Sequence, residues 1–444
     1  MLDGSHTIRI RSGKTSRPTW RWQKVRAWCW RAAALVSMLG ACSAPSVRPQ
    51  PPSAAPAAPV APASLPKAPS LELVESWPSE TSLDDPLIRD AAVAWVDLID
   101  SARERIDISE FYAKSAPNSA LERVIAALLR AADRGVRVRM IVDTKLLGDN
   151  HEVPERLEAH PKIEVRRYDL GAIMGGVQHA KYFVVDDELA YLGSQNFDYR
   201  SLEHILELGV VIRVRPVVDA LRATFEDDWR MAAGEPRSES KPFDACASDI
   251  EYGGKPVRVC AALSPKGFLI DEALWDLPRL LQLIGEARKT ITVQLLDYAT
   301  VNYDRSSFTE LDDALRSAAA RGVHIRMMVA DWSKRAKSLE PLQALQRVPN
   351  IDVRFVTIPP HSSGFIPHAR VIHAKAMVVD GLNSWVGTSN WSGDYFYKSR
   401  NVGIVVEGAS FAQDVARFFE TTWDSNYAYD LDPDAKYEPP RIKE

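Results

Sequence analysis

The chain has 444 residues, enough for two or three domains, with 46% apolar residues, 26% charged residues and a formal net charge of −4. Those fractions are typical of a folded soluble protein and exclude a chain disordered throughout. Residues 1–41 hold eight Lys/Arg against Asp3 alone, which leaves about −11 for the remainder and gives no support to a broad basic surface for nucleic acid.

In chain order, the first segment reads as an export signal. Basic residues from Arg9 to Arg31 precede an apolar run, Ala32 to Ala41, that is too short to span a bilayer as a mature helix. The run ends in Leu39-Gly40-Ala41-Cys42, which resembles a bacterial lipobox. That resemblance implies a signal peptide over 1–41, lipidation of Cys42, and a membrane anchor on the periplasmic side of the cell envelope. Ser43 resembles the residue choice that permits sorting to the outer membrane. Residues 42–70 are rich in Pro and Ala, cannot bury a core and favour extended chain, so they are expected to be a tether. Two cysteines lie beyond this leader, Cys246 and Cys260, and a disulfide between them is expected in an oxidising compartment.

A first domain is expected over 71–234. Residues 105–111 and 136–142 alternate as strands, with apolar residues at helical spacing over 120–134 and a stop at Gly135. Strands follow near 163–168, 181–185, 189–192 and 208–214, then a closing helix over 217–229. After a connecting segment, 235–262, the same order returns over 263–432, followed by a polar tail, 433–444. The second copy has strands at 290–296 and 323–329 around a helix at 308–321, with Gly322 as its stop. Strands alternating with helices argue for α/β layers.

The repeat is sharpest at one motif. His179-Ala-Lys181-Tyr-Phe-Val-Val-Asp186, then Gly193-Ser-Gln-Asn196, returns as His373-Ala-Lys375-Ala-Met-Val-Val-Asp380, then Gly387-Thr-Ser-Asn390. The offset is 194 and persists to Trp229/Trp423; earlier, at Arg134/Arg321, it is 187, so a loop in the second copy takes up the difference. On a strand, His and Lys two apart share a face, an arrangement suited to an anionic group under attack. Asp186 and Asp380, at odd spacing and opening a turn, read as supports. Asn196 and Asn390 can donate to phosphate oxygens, with Gly193 and Gly387 allowing close approach. Glu207 and Asn401 stand 28 residues after each His, an asymmetry that points to unlike roles for the two imidazoles. His361, His368 and His373 match no common zinc spacing, so no metal is expected. Arg370 reads as added pocket charge or a solvated strand end; Trp391, Tyr395, Phe396 and Tyr397 read as a mixture of core and groove wall, and Trp229 and Trp423 as core.

His-x-Lys-x4-Asp twice in one chain resembles the phospholipase D superfamily. Ile366-Pro-His-Ala-Arg370, Gly387-Thr-Ser-Asn-Trp-Ser-Gly393, Leu73-Val-Glu-Ser76 and Asp198-Tyr-Arg-Ser-Leu202 look most like one subgroup, that of the lysosomal phospholipase-D-like exonucleases and the poxvirus envelope phospholipase. The resemblance implies two tandem homologous α-β-α sandwich domains about a pseudo-twofold axis with one shared active site, complete within a monomer. It implies a phosphodiesterase without metal or cofactor, acting through a phosphohistidine. His179 is the implied nucleophile and His373 the acid, with Lys181, Lys375, Asn196 and Asn390 on the phosphate, and Glu207 the kind of acid that accepts a hydrogen bond from a catalytic imidazole. Expected substrates are phospholipid headgroups, by hydrolysis or transfer, ahead of nucleic-acid strand ends; a silent phosphate- or lipid-binding lipoprotein is the contrasting reading.

Overall fold

The computed structural model describes residues 68–443 except 147 and 149; the signal segment, Cys42 and most of the tether lie outside the described residues. Two sheets organise these residues. The first runs, edge to edge, Arg89–Asp90, Leu71–Ser76, Ile205–Ile212, Leu189–Gly193, Tyr182–Val185, Arg105–Glu110, Arg137–Asp143, Ile163–Tyr168. The second repeats the order as Lys255–Ser264, Asn401–Glu407, Asn383–Gly387, Ala376–Val379, Thr290–Leu295, His324–Ala330, Ile351–Val356, with Cys246–Tyr252 and Ala428–Asp430 added at its edges. In each, the first three helix-connected strands are parallel and the motif hairpin joins them antiparallel.

Helix Ala120–Asp133 shows how pattern becomes packing. Leu121, Val124, Ile125, Leu128 and Ala132 recur at helical spacing and are buried together with Trp95 and Phe183. The helix stops at Gly135, whose φ of +98° suits glycine, and its twin stops at Gly322 with φ +90°. Helices Asp276–Glu286 and Glu310–Ala320 cover the equivalent face of the second sheet. The closing helices Arg215–Ala232 and Ala409–Trp423 cover the opposite faces, and their Phe225 and Phe419 join Leu206 and Ile372 in a core that both halves share. Each half is therefore an α-β-α sandwich. The duplication reaches side chains: Arg139 stacks over Trp229 and pairs with Glu226, as Arg326 does over Trp423 with Glu420.

The halves meet through backbone. Ile205–Leu206 pairs in parallel with Val371–Ile372, and Gln178 bridges Arg400. Adding 194 to Leu206 gives Arg400 and to Gln178 gives Ile372, so the Leu206–Ile372 and Gln178–Arg400 pairings are twins and carry a pseudo-twofold relation.

Three expectations change. Residues 235–262 are more than a connector, because Cys246–Tyr252 and Lys255–Ser264 form a hairpin of the second sheet, the latter strand being the twin of Leu71–Ser76. The Cys246–Cys260 disulfide joins facing residues of this hairpin. The tail is not merely polar: Tyr437 packs on Phe355 at 5.2 Å, and buried Ile442 accepts from the His368 N–H at 2.9 Å. Arg370 is neither solvated nor free in a pocket; it is buried and donates to the carbonyls of Ser79 and Pro359 at 2.7 Å each, joining the halves.

Candidate active site

His179 and His373 sit in extended segments that lead into the motif strands, one residue before regular pairing resumes at Tyr182 and Ala376 being the lysine. Their positions are fixed from across the interface. The His179 N–H donates to the Arg400 carbonyl at 3.0 Å, and the His373 N–H to the Leu206 carbonyl at 2.8 Å. Both side chains reach a cleft of about 460 Å³ between the halves, lined also by Phe111, Tyr112, Asn196, Trp332, Asn390 and Tyr395. Phe111 and Tyr395 meet the His179 ring edge-on at 5.2 and 4.9 Å.

The sequence asymmetry resolves into a crossed pairing. Asn401, of the second half, holds His179 of the first: Nδ1 and Oδ1 are 2.9 Å apart. Glu207, of the first half, holds His373 of the second, with Nδ1 and Oε2 2.7 Å apart. The Asn401 amide nitrogen donates to the carbonyls of Tyr395 and Ser399 at 2.9 and 3.1 Å. Carbonyls only accept, so the amide oxygen must face His179, and His179 Nδ1 must be the donor. That leaves Nε2 of the neutral ring with its lone pair free. His373 instead has a carboxyl partner with which it can share a proton.

Electrostatics follows from depth. Burial pulls both imidazoles well below the ordinary histidine range, with Lys181 and Lys375 adding to the effect. Burial pushes Glu207 up to about 8, against the opposing pull of Lys375. Burial also lowers Lys181 to about 7 and Lys375 well below its usual range, each opposed by Glu207. The lysines lie behind the cleft, and each ammonium donates to the carbonyl of its own motif histidine.

Asn196 and Asn390 reach the cleft, as the motif suggests. Asn390 Oδ1 accepts from the Asp297 N–H at 3.4 Å, while its Nδ2 is buried with no partner among the described residues. Gly193 and Gly387 have another purpose than substrate approach. A Cβ on Gly193 would lie 2.7 Å from Gly209 Cα, and one on Gly387 2.9 Å from the Trp385 ring, so packing within the sheets requires glycine. Asp186 accepts from the backbone N–H groups of Arg103, Glu104 and Arg105 at 2.7–2.8 Å, and Asp380 from Arg288, Lys289 and Thr290 at 2.7–2.9 Å. Each fastens the start of the strand beside its motif, remote from the cleft.

Other residues of the site carry weaker sequence signals. Glu110 is fully buried, faces Lys181 electrostatically and is pushed well up by burial. Its strand is offset by 185, Ile106 matching Ile291, so its register twin is Leu295 and the repeat does not flag it. Asp198 holds Arg200 and accepts from the Tyr112 hydroxyl at 2.8 Å, beside the cleft. His368 lines the cleft, whereas His361 lies apart, against Glu80 and His204. Trp391 and Phe396 are core, Tyr395 is cleft wall and Tyr397 is exposed.

Duplicated α/β halves presenting two histidines across one cleft define a two-histidine phosphodiesterase class. The family described as cardiolipin synthase, PLD-like domain, matches residues 95–229 and 280–423, both halves. A probable phospholipase D of Caenorhabditis elegans is 32% identical over 77% of this chain and 67% of its own length. The 5'-3' exonuclease PLD4 of Mus musculus is 30% identical over 82% of this chain and 80% of its own, and the virion nicking-joining enzyme of Vaccinia virus (strain Copenhagen) 29% over 76% and 84%. Phosphatidylserine synthase of Haemophilus influenzae shares the fold, with a TM-score of 0.56 at 11% identity over 77% of this chain and 85% of that one. The chain belongs to the phospholipase D superfamily and is a phosphodiesterase of that family.

Proposed function

We propose that His179 and His373 cleave a phosphodiester in two steps. His179 Nε2 attacks phosphorus, and the P–O bond to the leaving alcohol breaks as His373 Nε2 delivers a proton to that oxygen. His373 then takes a proton from water, or from an acceptor alcohol, which displaces phosphorus from His179 and restores both rings. The single observation that carries the division of roles is the crossed pairing: Asn401 fixes His179 as Nδ1–H with Nε2 bare, and Glu207 keeps a proton available to His373. Asn196 and Asn390 hold the non-bridging oxygens from the cleft wall, and Lys181 and Lys375 add positive potential from behind.

The substrate we favour is a phospholipid, by hydrolysis or headgroup transfer, met at a membrane to which Cys42 tethers the enzyme in the cell envelope. The lipobox-like segment, the Pro/Ala tether and the acidic remainder support this reading. A single-stranded nucleic-acid end is the second reading, supported by the likeness to a named exonuclease and by Phe111, Tyr112, Trp332, Lys114 and Lys145 lining the cleft.

Hydrolysis of bis(4-nitrophenyl) phosphate in EDTA tests the mechanism. It should persist in the wild type and fall about a thousandfold or more in H179A and in H373A; undiminished turnover in either variant would sink it. Labelled phosphatidylglycerol against labelled single-stranded DNA separates the substrates, and consumption of DNA alone would reverse the preference. Cell fractionation of C42A tests the anchor, since a variant still in the membrane fraction contradicts lipidation at that residue.

A further inference from the structure

Leu206 precedes Glu207, and Arg400 precedes Asn401, at twin positions of the repeat. Both carbonyls do the same work, accepting from the His373 and His179 N–H groups. The side chains do not. Leu206 packs in the shared core. Arg400 is equally deep, at 1% exposure, and a cation there is costly unless it is paired. It grips Asp228 of the closing helix of the first half through Nη2 at 2.7 Å and Nε at 2.9 Å. Its Nη1 donates to the carbonyls of Ser264 and Phe268 at 3.2 and 2.9 Å. The neighbouring Asp227 holds Arg237 at 3.0 Å, and Arg237 donates to the carbonyls of Gly267 and Leu269 at 2.7 and 2.9 Å. Two adjacent acids and two arginines thus tie helix Arg215–Ala232 and the loop 264–269 to the residue that presents Asn401.

Stability alone does not call for this pair. A buried ion pair is often matched or bettered by apolar residues of similar volume, and the twin position is filled by leucine. What a guanidinium fork adds is direction, since it fixes geometry along several hydrogen bonds at once.

We propose that the Asp228–Arg400 pair is a positioning device for His179. It pins the start of strand Asn401–Glu407 against the first half, so that Asn401 Oδ1 stays on His179 Nδ1 and Nε2 stays aimed into the cleft. This inference rests on His179 being the nucleophile, as proposed above. Without the pair, the Asn401–His179 bond loosens, the ring samples its other tautomer, and a share of molecules presents a protonated Nε2 that cannot attack.

The test compares R400L, which installs the twin residue, with D228A/R400L, which removes both buried charges, and with R400K, which keeps the charge but loses the fork. Turnover of bis(4-nitrophenyl) phosphate is followed across pH, alongside Tm and the His179 Nδ1–H proton resonance. R400L should lose about a hundredfold in kcat with KM unchanged. The double variant should be no faster, although its Tm returns to the wild-type value, and the acid limb of its pH profile should move. A folded double variant with wild-type kcat and an unmoved profile would overturn the inference. Should the double variant fail to fold, R400K decides. Reduced kcat with a weakened Nδ1–H signal supports positioning, and both unchanged overturns it. If instead H179A matches the wild type, the proposed mechanism has failed, which is a different result from R400L matching the wild type while H179A is dead.

Discussion

A histidine that attacks must be neutral while a histidine that donates must hold a proton, and here both rings occupy one buried cleft at one pH. Their partners set them apart. Burial holds Glu207 up to about 8, so below that pH the Glu207–His373 pair retains a shared proton and above it loses that proton. Burial keeps His179 neutral well into the acid range. Activity should therefore persist on the acid side of neutrality and fall as pH rises through about 8. E207Q should lower kcat by about 10²–10³ and abolish that alkaline limb; a pH profile of kcat with the limb intact would assign it elsewhere. The sequence exposed the mismatch of Glu207 and Asn401 but not its wiring, because the contacts cross between halves about 170 to 220 residues apart. Nothing local to either strand encodes which imidazole each will meet.

At the scale of elements, periodicity locates helices Ala120–Asp133, Arg215–Ala232 and Glu310–Ala320 and the repeat locates the motif strands, whereas helices Ala91–Ser101, Asp276–Glu286 and Ala336–Gln346 are not among the expected elements. The edge hairpin was illegible. Strand Cys246–Tyr252 has little apolar alternation and leaves most of its residues partly or fully exposed, as an edge strand can. Its disulfide closes a loop of sequence separation 14, and oxidised protein should exceed reduced protein in stability by about 3 kcal/mol, measured by urea unfolding with and without dithiothreitol. The motif aspartates give a second test. Although burial pushes it up, Asp380 is held below the usual carboxylate range by the N–H groups of Thr290, Arg288 and Lys289. A depressed folded value means that the stabilisation is present above the unfolded value and is lost as pH falls through the folded one. D380A should cost about 1–2 kcal/mol at neutral pH, by analogy with a helix cap. The gap to wild type should close in strong acid, and a gap independent of pH would refute a carboxylate role.

For the whole molecule, the pairing of each histidine with a residue of the other half makes neither half an enzyme. A first half alone would retain His179, Lys181 and Asn196 yet lack Asn401, so nothing fixes the tautomer of its nucleophile; it would retain Glu207 with no His373 to serve. It would also uncover the seam at Ile205 and Leu206, which pair with Val371 and Ile372 of the other half, and open the apolar core cluster that runs through both halves, which favours association. Expressed separately, residues 68–240 and 241–444 should each be inactive and aggregation-prone. Co-expressed, they should recover turnover in a one-to-one complex, because the interface re-forms through the Ile205–Leu206 and Gln178 pairings together with the Asp228–Arg400 pair. Size-exclusion chromatography with activity measured across the peak checks this. Turnover by an isolated half at the monomer position would mean that the crossed histidine partners are dispensable, and turnover by the isolated first half at the dimer position would mean that a second copy replaces the missing twin, with Glu207 then serving both histidines and Asn401 serving none.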